Sequence, residues 1–189
     1  MKKILILIVL SFTLVPLTHV FSATTQKQKT PSQQYKGWKS ENIVGFHIKY
    51  PSKWYSSKLS ESTMLLNSYD TTSLLKKYES GGYPDKINYQ LTLQVVRTEG
   101  ASGESVAKKY ADKRPWSKKK IGNHVFYQID TRSSPSHFIY VPNTKVALIV
   151  SLYVISQEAE GLHAKDYLRG DVQKIFESIT YCTNGKSCR

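Results

Sequence analysis

The sequence predicts an α+β protein in which a central antiparallel β-sheet of about six to seven strands is flanked by two or three helices. Three observations predict this class: segments with an apolar residue at every second position, two segments with helical periodicity, and turn-forming sequences between strands. The chain has 189 residues, of which 40% are hydrophobic and 22% are charged. This composition excludes a disordered chain and a multispanning membrane protein, and the length suits one domain.

Strands are predicted where apolar and polar side chains alternate. The clearest alternation runs from Asn88 to Arg97, with one apolar face and one polar face. The segment Val146 to Val150 is apolar on both faces, which predicts the central strand of the sheet. Gly122-Asn123 predicts the turn of a hairpin. Further strands are predicted at Phe46–Tyr50, Met64–Leu66, Lys118–Ile121, His124–Asp130, Ser136–Val141 and Lys145–Ile155.

Two segments have helical periodicity. The first runs from Ser102 to Lys113, with Ser102 available as the N-cap. The second runs from about Lys165 to Ile179. Because Gly170 weakens the middle of this second segment, a helix that begins at Asp171 is the alternative.

The first 23 residues have the organisation of an export signal. Lys2 and Lys3 precede an apolar run, and the segment ends in the small residues Ser22 and Ala23. The apolar run contains Pro16 and is shorter than the roughly 20 residues that cross a bilayer, which argues against a retained anchor. We therefore predict cleavage and export to the periplasm or the outside of the cell, without a transmembrane span in the mature chain.

Residues 24–34 contain no large apolar residue and are interpreted as a flexible leader, which leaves residues 35–189 as a single domain. The two cysteines, Cys182 and Cys188, flank the turn former Asn184-Gly185. In an oxidising compartment this arrangement predicts a local disulfide that closes a C-terminal loop. Metal binding by the pair is not expected, since two further ligands at suitable spacing are missing.

Two segments carry a resemblance to a known family. The first is Gly45-Phe46-His47-Ile48-Lys49-Tyr50-Pro51-Ser52-Lys53-Trp54, and the second runs from Asp171 to Ile179. They are similar to the opening motif and the closing helix of PsbP-like proteins, and the resemblance covers about residues 35–182. It implies an α/β/α sandwich around an antiparallel sheet, with Thr71 to Asp85 as an unaligned insertion. It implies no catalytic residue, because relatives range from a photosystem subunit to bacterial envelope proteins of unassigned role.

The most unusual stretch, Lys108 to Lys120, holds seven basic residues and one acid, Asp112. Without Lys2 and Lys3 the chain keeps 25 basic and 14 acidic residues, so this stretch contributes +6 of a mature +11. Clustered cations among aromatic side chains are typical of surfaces that bind anionic partners, with the aromatic ring stacking or lying at a membrane interface. The predicted surface comprises Lys108, Lys109, Lys113, Arg114, Trp116, Lys118, Lys119 and Lys120.

We therefore expect an exported bacterial protein that is a non-enzymatic binding module for an anionic partner. The partner is an envelope lipid or polysaccharide, a host polyanion or an acidic protein, and nucleic acid is less favoured. A solvated face that keeps a basic protein soluble is the alternative explanation of the cluster.

Two other functions stay open at this point. One is a hydrolase with a site near Asp130, Ser134 and His137, although no nucleophile-elbow motif is present. The other is a small-molecule carrier in which Tyr and Trp line a groove between sheet and helices. The histidines form no ligand-spaced pair and no Gly-rich phosphate loop occurs, so no metal or cofactor is expected.

Overall fold

A computed structural model describes residues 34–82, 84, 86–131, 135–143, 145–156 and 164–182. The predicted signal peptide, all of the leader except its last residue, Ser134 and Cys188 lie outside the described residues. Over the described part of the chain, a seven-stranded antiparallel sheet, a three-stranded sheet and three α-helices confirm the predicted α+β class.

The helices and strands of the described residues have the following bounds. The helices are α1 (Thr71–Glu79), α2 (Gly103–Ala111) and α3 (Gly170–Ser178), and a 3-10 helix spans Ala164–Tyr167. The strands are β1 (Trp38–Ile43), β2 (Phe46–Pro51), β3 (Tyr55–Ser60), β4 (Thr63–Asn67), β5 (Asn88–Arg97), β6 (Trp116–Ile121), β7 (His124–Ile129), β8 (Ser136–Tyr140), β9 (Val146–Ile155) and β10 (Thr180–Tyr181).

Strand β9 lies at the centre of the large sheet, as its two apolar faces predict. The strand order is β3-β4-β5-β9-β8-β7-β6, and β9 pairs with β5 over ten residues. Leu148 and Val150 point into one hydrophobic core, whereas Ala147 and Ile149 point into another on the opposite face. A continuous apolar run is what a strand covered on both faces requires.

The first core fills the space between the large sheet and a layer made of α3 and the three-stranded sheet β1-β2-β10. Phe46, Phe126, Phe138 and Phe176 are fully buried in it. The second core is smaller and lies under α2, where Ala107 and Ala111 pack on the strands. The helices therefore flank the sheet on both faces, in agreement with the predicted sandwich.

Local signals account for the helix ends. Ser102 caps α2, since its hydroxyl accepts a hydrogen bond from the Ser105 N–H at 3.2 Å. Helix α2 ends at Ala111, two residues earlier than predicted, because Asp112 and Lys113 both have positive φ. Gly170 has φ +57°, so the predicted second helix is divided into the 3-10 helix and α3.

Candidate anion-binding surface

Helix α2 carries the first two lysines of the predicted basic stretch. Its buried side packs Ala107 and Ala111 on the sheet, which leaves Lys108 and Lys109 exposed in its last turn. Cations in the last turn interact favourably with the helix dipole. Among the residues that the structure describes, neither lysine forms an ion pair with a carboxylate.

The two lysines leave the helix on different flanks. Lys109 lines a groove with Val106 and Tyr110, on the side where β5 ends. Lys108 follows one turn after Glu104, and Glu104 faces β6. The charge of the helix is therefore spread over both of its flanks.

Arg114 caps the C-terminal end of α2 with its side chain. Its Nε donates to the Ala111 carbonyl at 2.8 Å, and its Nη2 donates to the Tyr110 carbonyl at 2.9 Å. These carbonyls belong to the last turn of the helix, which has no intrahelical donors left for them. Arg114 is half-buried and contributes a positive charge near the surface, while part of its hydrogen-bonding capacity is used internally.

Strand β6 sends its three lysines to different faces of the sheet. Lys118 pairs with Tyr127 of β7, which packs on the second core, and Lys120 points the same way. Lys119 pairs with Phe126, which is buried in the first core on the other face. The structure therefore separates Lys119 from Lys118 and Lys120, and the predicted stretch is not one continuous patch.

Lys118 is neutralised by a carboxylate of α2. Its Nζ forms a salt bridge with Glu104 Oε1, and it also lies 6.0 Å from the centroid of the Tyr127 ring. The hydrogen bond to Glu104, and then the negative charge of that residue, raise the pKa of Lys118 above its ordinary value. This contact joins β6 to α2 and removes one cation from the candidate surface.

Trp116 packs against the molecule instead of standing out from it. Its centroid lies 5.9 Å from that of Tyr127, and the half-buried ring packs on the second core. Little of the Trp116 ring face is therefore accessible for the predicted stacking or membrane-interface role.

Four lysines remain exposed on the side of the sheet that α2 covers or next to the end of that helix. Among the described residues they have no ion-pair partner. We call this set the α2 surface, and its members are Lys108, Lys109, Lys113 and Lys120.

The two described residues of the alternative hydrolase site, Asp130 and His137, do not converge. Asp130 accepts hydrogen bonds from Gln128 Nε2 at 2.8 Å and Lys165 Nζ at 3.2 Å. The backbone N–H of Lys165 in turn donates to Ser136 Oγ, on the face of the first core. His137 lies on the opposite face, and Ser134 is outside the described residues.

His137 has a different partner, which sequence reasoning missed. Its Nδ1 lies 2.8 Å from Ser151 Oγ, directly across the β8–β9 pair. The centroids of the His137 and Tyr110 rings lie 5.4 Å apart in a T-shaped arrangement. Burial, and then the positive charge of Arg114, lower the pKa of His137 below its ordinary value. Residues that are 14 apart meet here only because two strands pair in one register.

Cavities lie beside helices α2 and α3. The larger, about 740 Å³, lies beside α2 and has Tyr110 and Arg97 in its wall. The smaller, about 630 Å³, lies at the start of α3 and has Trp54 and Tyr89 in its wall. The smaller one has the Tyr and Trp lining that the carrier hypothesis expects, and neither Arg97 nor the larger cavity was found from the sequence.

Neither a metal-binding cluster nor a membrane-spanning helix occurs among the described residues. Within them, no three His, Cys, Asp or Glu side chains lie close enough together to hold a metal ion. Within them, too, no helix has the length and apolar character needed to cross a membrane.

No protein-family model matches the chain, and no curated protein matches it. A crystal structure from Bacteroides thetaiotaomicron VPI-5482 is similar over 75% of this chain, with 14% sequence identity and a TM-score of 0.47. The chain spans 47% of the length of that structure. Likeness at this level carries no information about a ligand or an activity.

Proposed function

We propose that this is an exported, non-enzymatic binding module that holds an anionic partner on the α2 surface. One observation carries the proposal: Lys108, Lys109, Lys113 and Lys120 are exposed, and within the described part of the chain no carboxylate pairs with them. Mutual repulsion among such cations opposes folding. A partner that supplies negative charge would relieve this repulsion, which favours a binding role for the lysines.

The arrangement favours an extended partner over a single small ion. The lysines lie on both flanks of α2, just after its end and on strand β6, and so they do not converge on one point. A lipid surface, a polysaccharide or an acidic protein offers several negative charges at such spacings. Nucleic acid remains less favoured because Trp116, the aromatic ring within the stretch, packs on Tyr127 and is not free to stack on bases.

The test compares two matched pairs of charge reversals. Lys108→Glu with Lys109→Glu alters the last turn of α2, and Lys76→Glu with Lys77→Glu alters the last turn of α1. Both helices have nine residues, so the two variants change net charge and helix-end electrostatics equally. The readouts are elution from a heparin column and binding to phosphatidylglycerol vesicles over a range of salt concentrations.

The α2 variant is expected to lower the slope of log affinity against log salt by about 2 more than the α1 variant does. Unchanged near-ultraviolet circular dichroism shows that both variants are folded. Equal loss from the two variants would mean that net charge alone governs binding, and the proposal would be abandoned. Retention by heparin and not by vesicles, or the reverse, identifies the class of partner.

Export and the C-terminal disulfide complete the proposal. A cleaved signal over residues 1–23 delivers the chain to an oxidising compartment, where Cys182 pairs with Cys188. Membership of the PsbP-like family belongs to the same proposal and rests on the motif at Gly45 to Trp54 and the segment Asp171 to Ile179. Mass spectrometry of protein isolated from its own cell is expected to show a chain without the signal, lighter than the reduced form by two hydrogen atoms. An intact N-terminus or two free thiols would contradict this part.

A further inference from the structure

A strip of polar side chains runs along β5 on the face of the sheet that carries α2. Gln90, Thr92 and Gln94 point away from the first core, to which Leu91 and Leu93 between them belong. Gln94 is exposed, and Gln90 and Thr92 are half-buried. At about 3.4 Å a residue, the strip is about 14 Å long. We call these three residues the β5 strip, and their amide and hydroxyl groups can both donate and accept hydrogen bonds.

The strands around the β5 strip carry no charged side chain on this face. There the described residues of β3, β4 and β9 are serine, threonine, asparagine, tyrosine, alanine, leucine or isoleucine. The chain has 27 basic and 14 acidic residues, so an accessible face of four strands without a charge is unusual for it. A charge that an uncharged partner covers loses its hydration at a high cost, which this face avoids. The face therefore favours a neutral partner.

The hydrogen-bonding groups of the β5 strip are available to another molecule. Tyr69 Oη donates to Gln90 Oε1 at 3.0 Å, and this bond orients the amide. Within the described part of the chain, the Gln90 Nε2 group and the side chains of Thr92 and Gln94 have no protein partner. A partner rich in hydroxyl groups can therefore bond to all three residues.

The groove beside α2 continues the β5 strip at one end. Val96, the next residue of β5 on this face, and Ile149, which pairs with Gln94, both line the groove. It encloses about 740 Å³, within the range of about 300 to 1,000 Å³ that is common for ligand sites. Arg97 contributes to the wall, but it pairs with Val146 and its side chain faces the first core. The strip thus leads into a concave site with an apolar floor.

Tyr110 of α2 forms a wall of the groove and stands beside the β5 strip. Its ring meets that of His137, which lies in the same cross-strand row as Thr92. Burial raises the pKa of the Tyr110 phenol, so its hydroxyl keeps its proton at ordinary pH and can donate a hydrogen bond. Lys109 and Glu99 carry opposite charges in the lining, so they offset each other and the groove does not select an ion.

We propose that the β5 strip and the groove bind an uncharged oligosaccharide. Hydroxyl groups of the sugar bond to the strip, and one sugar ring enters the groove, where its C–H face packs on Tyr110. A pyranose has hydroxyl edges and apolar faces. It therefore matches a polar strip that ends in an apolar groove with an aromatic wall.

Other partners fit this surface less well. A peptide strand pairs with the edge of a sheet, whereas β5 lies between β4 and β9. An anionic chain finds no cation on the strip, and a fatty chain would leave the polar groups of the strip unpaired. A second copy of this chain would bury a more apolar surface. The inference does not rest on the proposed polyanion binding, because it uses a different surface.

Neutral and anionic sugars of equal length test the proposal. Cellohexaose, maltohexaose, chitohexaose and the anionic hexagalacturonate are titrated separately into the ¹⁵N-labelled protein, and amide shifts are followed by nuclear magnetic resonance. At least one neutral chain is expected to shift the amides of the β5 strip and of Val96, while hexagalacturonate is expected to shift those of the α2 surface instead. No β5 shift with any of the three neutral chains would overturn the inference, and so would equal β5 shifts with hexagalacturonate.

Two charge variants of one residue test the neutral character of the site. Gln94→Lys and Gln94→Glu are each expected to weaken binding of the neutral hexasaccharide about tenfold, because a lost hydrogen bond and a newly buried charge act in the same direction. Gln173→Lys and Gln173→Glu, at an exposed residue of α3, are the controls and are expected to leave binding unchanged. Stronger binding by Gln94→Lys, or no effect of either change at Gln94, would refute the site.

A third variant tests the groove. Ser105 is exposed on α2 and lines the groove, so Ser105→Trp is expected to abolish the shift of the Val96 amide. Ser117→Trp, at an exposed residue outside the groove lining, is its control, and near-ultraviolet circular dichroism shows that both are folded. A Val96 shift that persists in Ser105→Trp would remove the groove from the proposal.

The outcomes separate this site from polyanion binding and from self-association. Ser105→Trp changes no charge, so heparin retention is expected to survive it. Heparin retention by a protein that binds none of the neutral hexasaccharides refutes the sugar site alone. A wild-type dimer in sedimentation velocity that both Gln94 variants dissociate would assign the face to a second copy and would also refute the sugar site.

Discussion

The backbone of Gly103 lies against the ring of Tyr127. A Cβ atom at Gly103, the first residue of α2, would lie 2.7 Å from the phenolic oxygen and 2.8 Å from Cζ of that ring. Tyr127 is a residue of β7 and also contacts Trp116 and Lys118 of β6. This contact sets the height of α2 above the sheet, and with it the position of Lys108 and Lys109.

Replacement of Gly103 by Val is expected to destabilise the protein by about 1 to 3 kcal/mol, because the added side chain forces the Tyr127 ring out of its packing. Urea denaturation measures the change in the free energy of unfolding. In a Tyr127→Ala background the same replacement finds free space, so its cost is expected to fall. An identical cost in both backgrounds would show that the ring contact is not the cause.

Ser178 is expected to be a second sensitive position. Its hydroxyl accepts a hydrogen bond from the Lys49 N–H at 2.9 Å and lies 3.1 Å from the Lys49 carbonyl, so it joins the end of α3 to β2. Ser178→Ala leaves that backbone donor without this partner and is expected to cost about 1 to 3 kcal/mol. Thermal and urea denaturation measure the cost, with Ser57→Ala on the exposed strand β3 as the control. Equal effects of the two replacements would refute the structural role.

The stability of the protein is expected to fall in mild acid. Burial, then Arg114, lowers the pKa of His137 below 6.5, and burial does the same for His124. In the unfolded chain these rings regain their ordinary pKa and take up protons more readily. Unfolding free energy is therefore fully retained above about pH 7 and is lost as pH falls through 6.5 toward the lowered pKa of the folded state.

The midpoints of urea denaturation at two pH values, one above and one below pH 6.5, measure this effect. The difference between them is expected to be larger in the wild-type protein than in His137→Gln. His47→Gln is the control, since His47 lies on β2 beside Asn42 and away from α2. A wild-type midpoint that does not change between the two conditions would contradict the burial of these rings.

The strands that sequence reasoning missed carry no alternating pattern. All six residues of β3 are exposed, so no apolar face marks it as a strand, and its pairing with β4 decides its conformation. Helix α1, in the segment interpreted as an insertion, has no buried residue and begins where Asp70 caps it through the Thr72 N–H. Edge elements of this kind take their structure from a neighbour more than from their own hydrophobic pattern.

The candidate site was predicted as a set of residues but not as a surface. Lys108 and Lys109 were assigned to one helix correctly, since the N-cap Ser102 and the apolar stripe are both local signals. The ion pair of Glu104 with Lys118 joins two elements, and the wall of the larger cavity is shared by α2, β5 and β9. No spacing along the chain encodes such meetings, because they depend on how the helix packs on the sheet.

The sequence by itself determined the central sheet, because a strand buried on one or both faces must show period two or a continuous apolar run, as β5 and β9 do. It also determined the excess of positive charge between Lys108 and Lys120. Only the tertiary structure decided where those charges go. The alternation of side chains along β6 places Lys119 on the opposite face of the sheet from Lys118. Arg114 donates a hydrogen bond to the Ala111 carbonyl at the end of α2, and Glu104 forms a salt bridge with Lys118. Of the seven basic side chains, four lysines remain exposed without an ion-pair partner among the described residues. The direction in which each side chain points and the residue with which it pairs depend on how the helix and strands pack, not on their order along the chain.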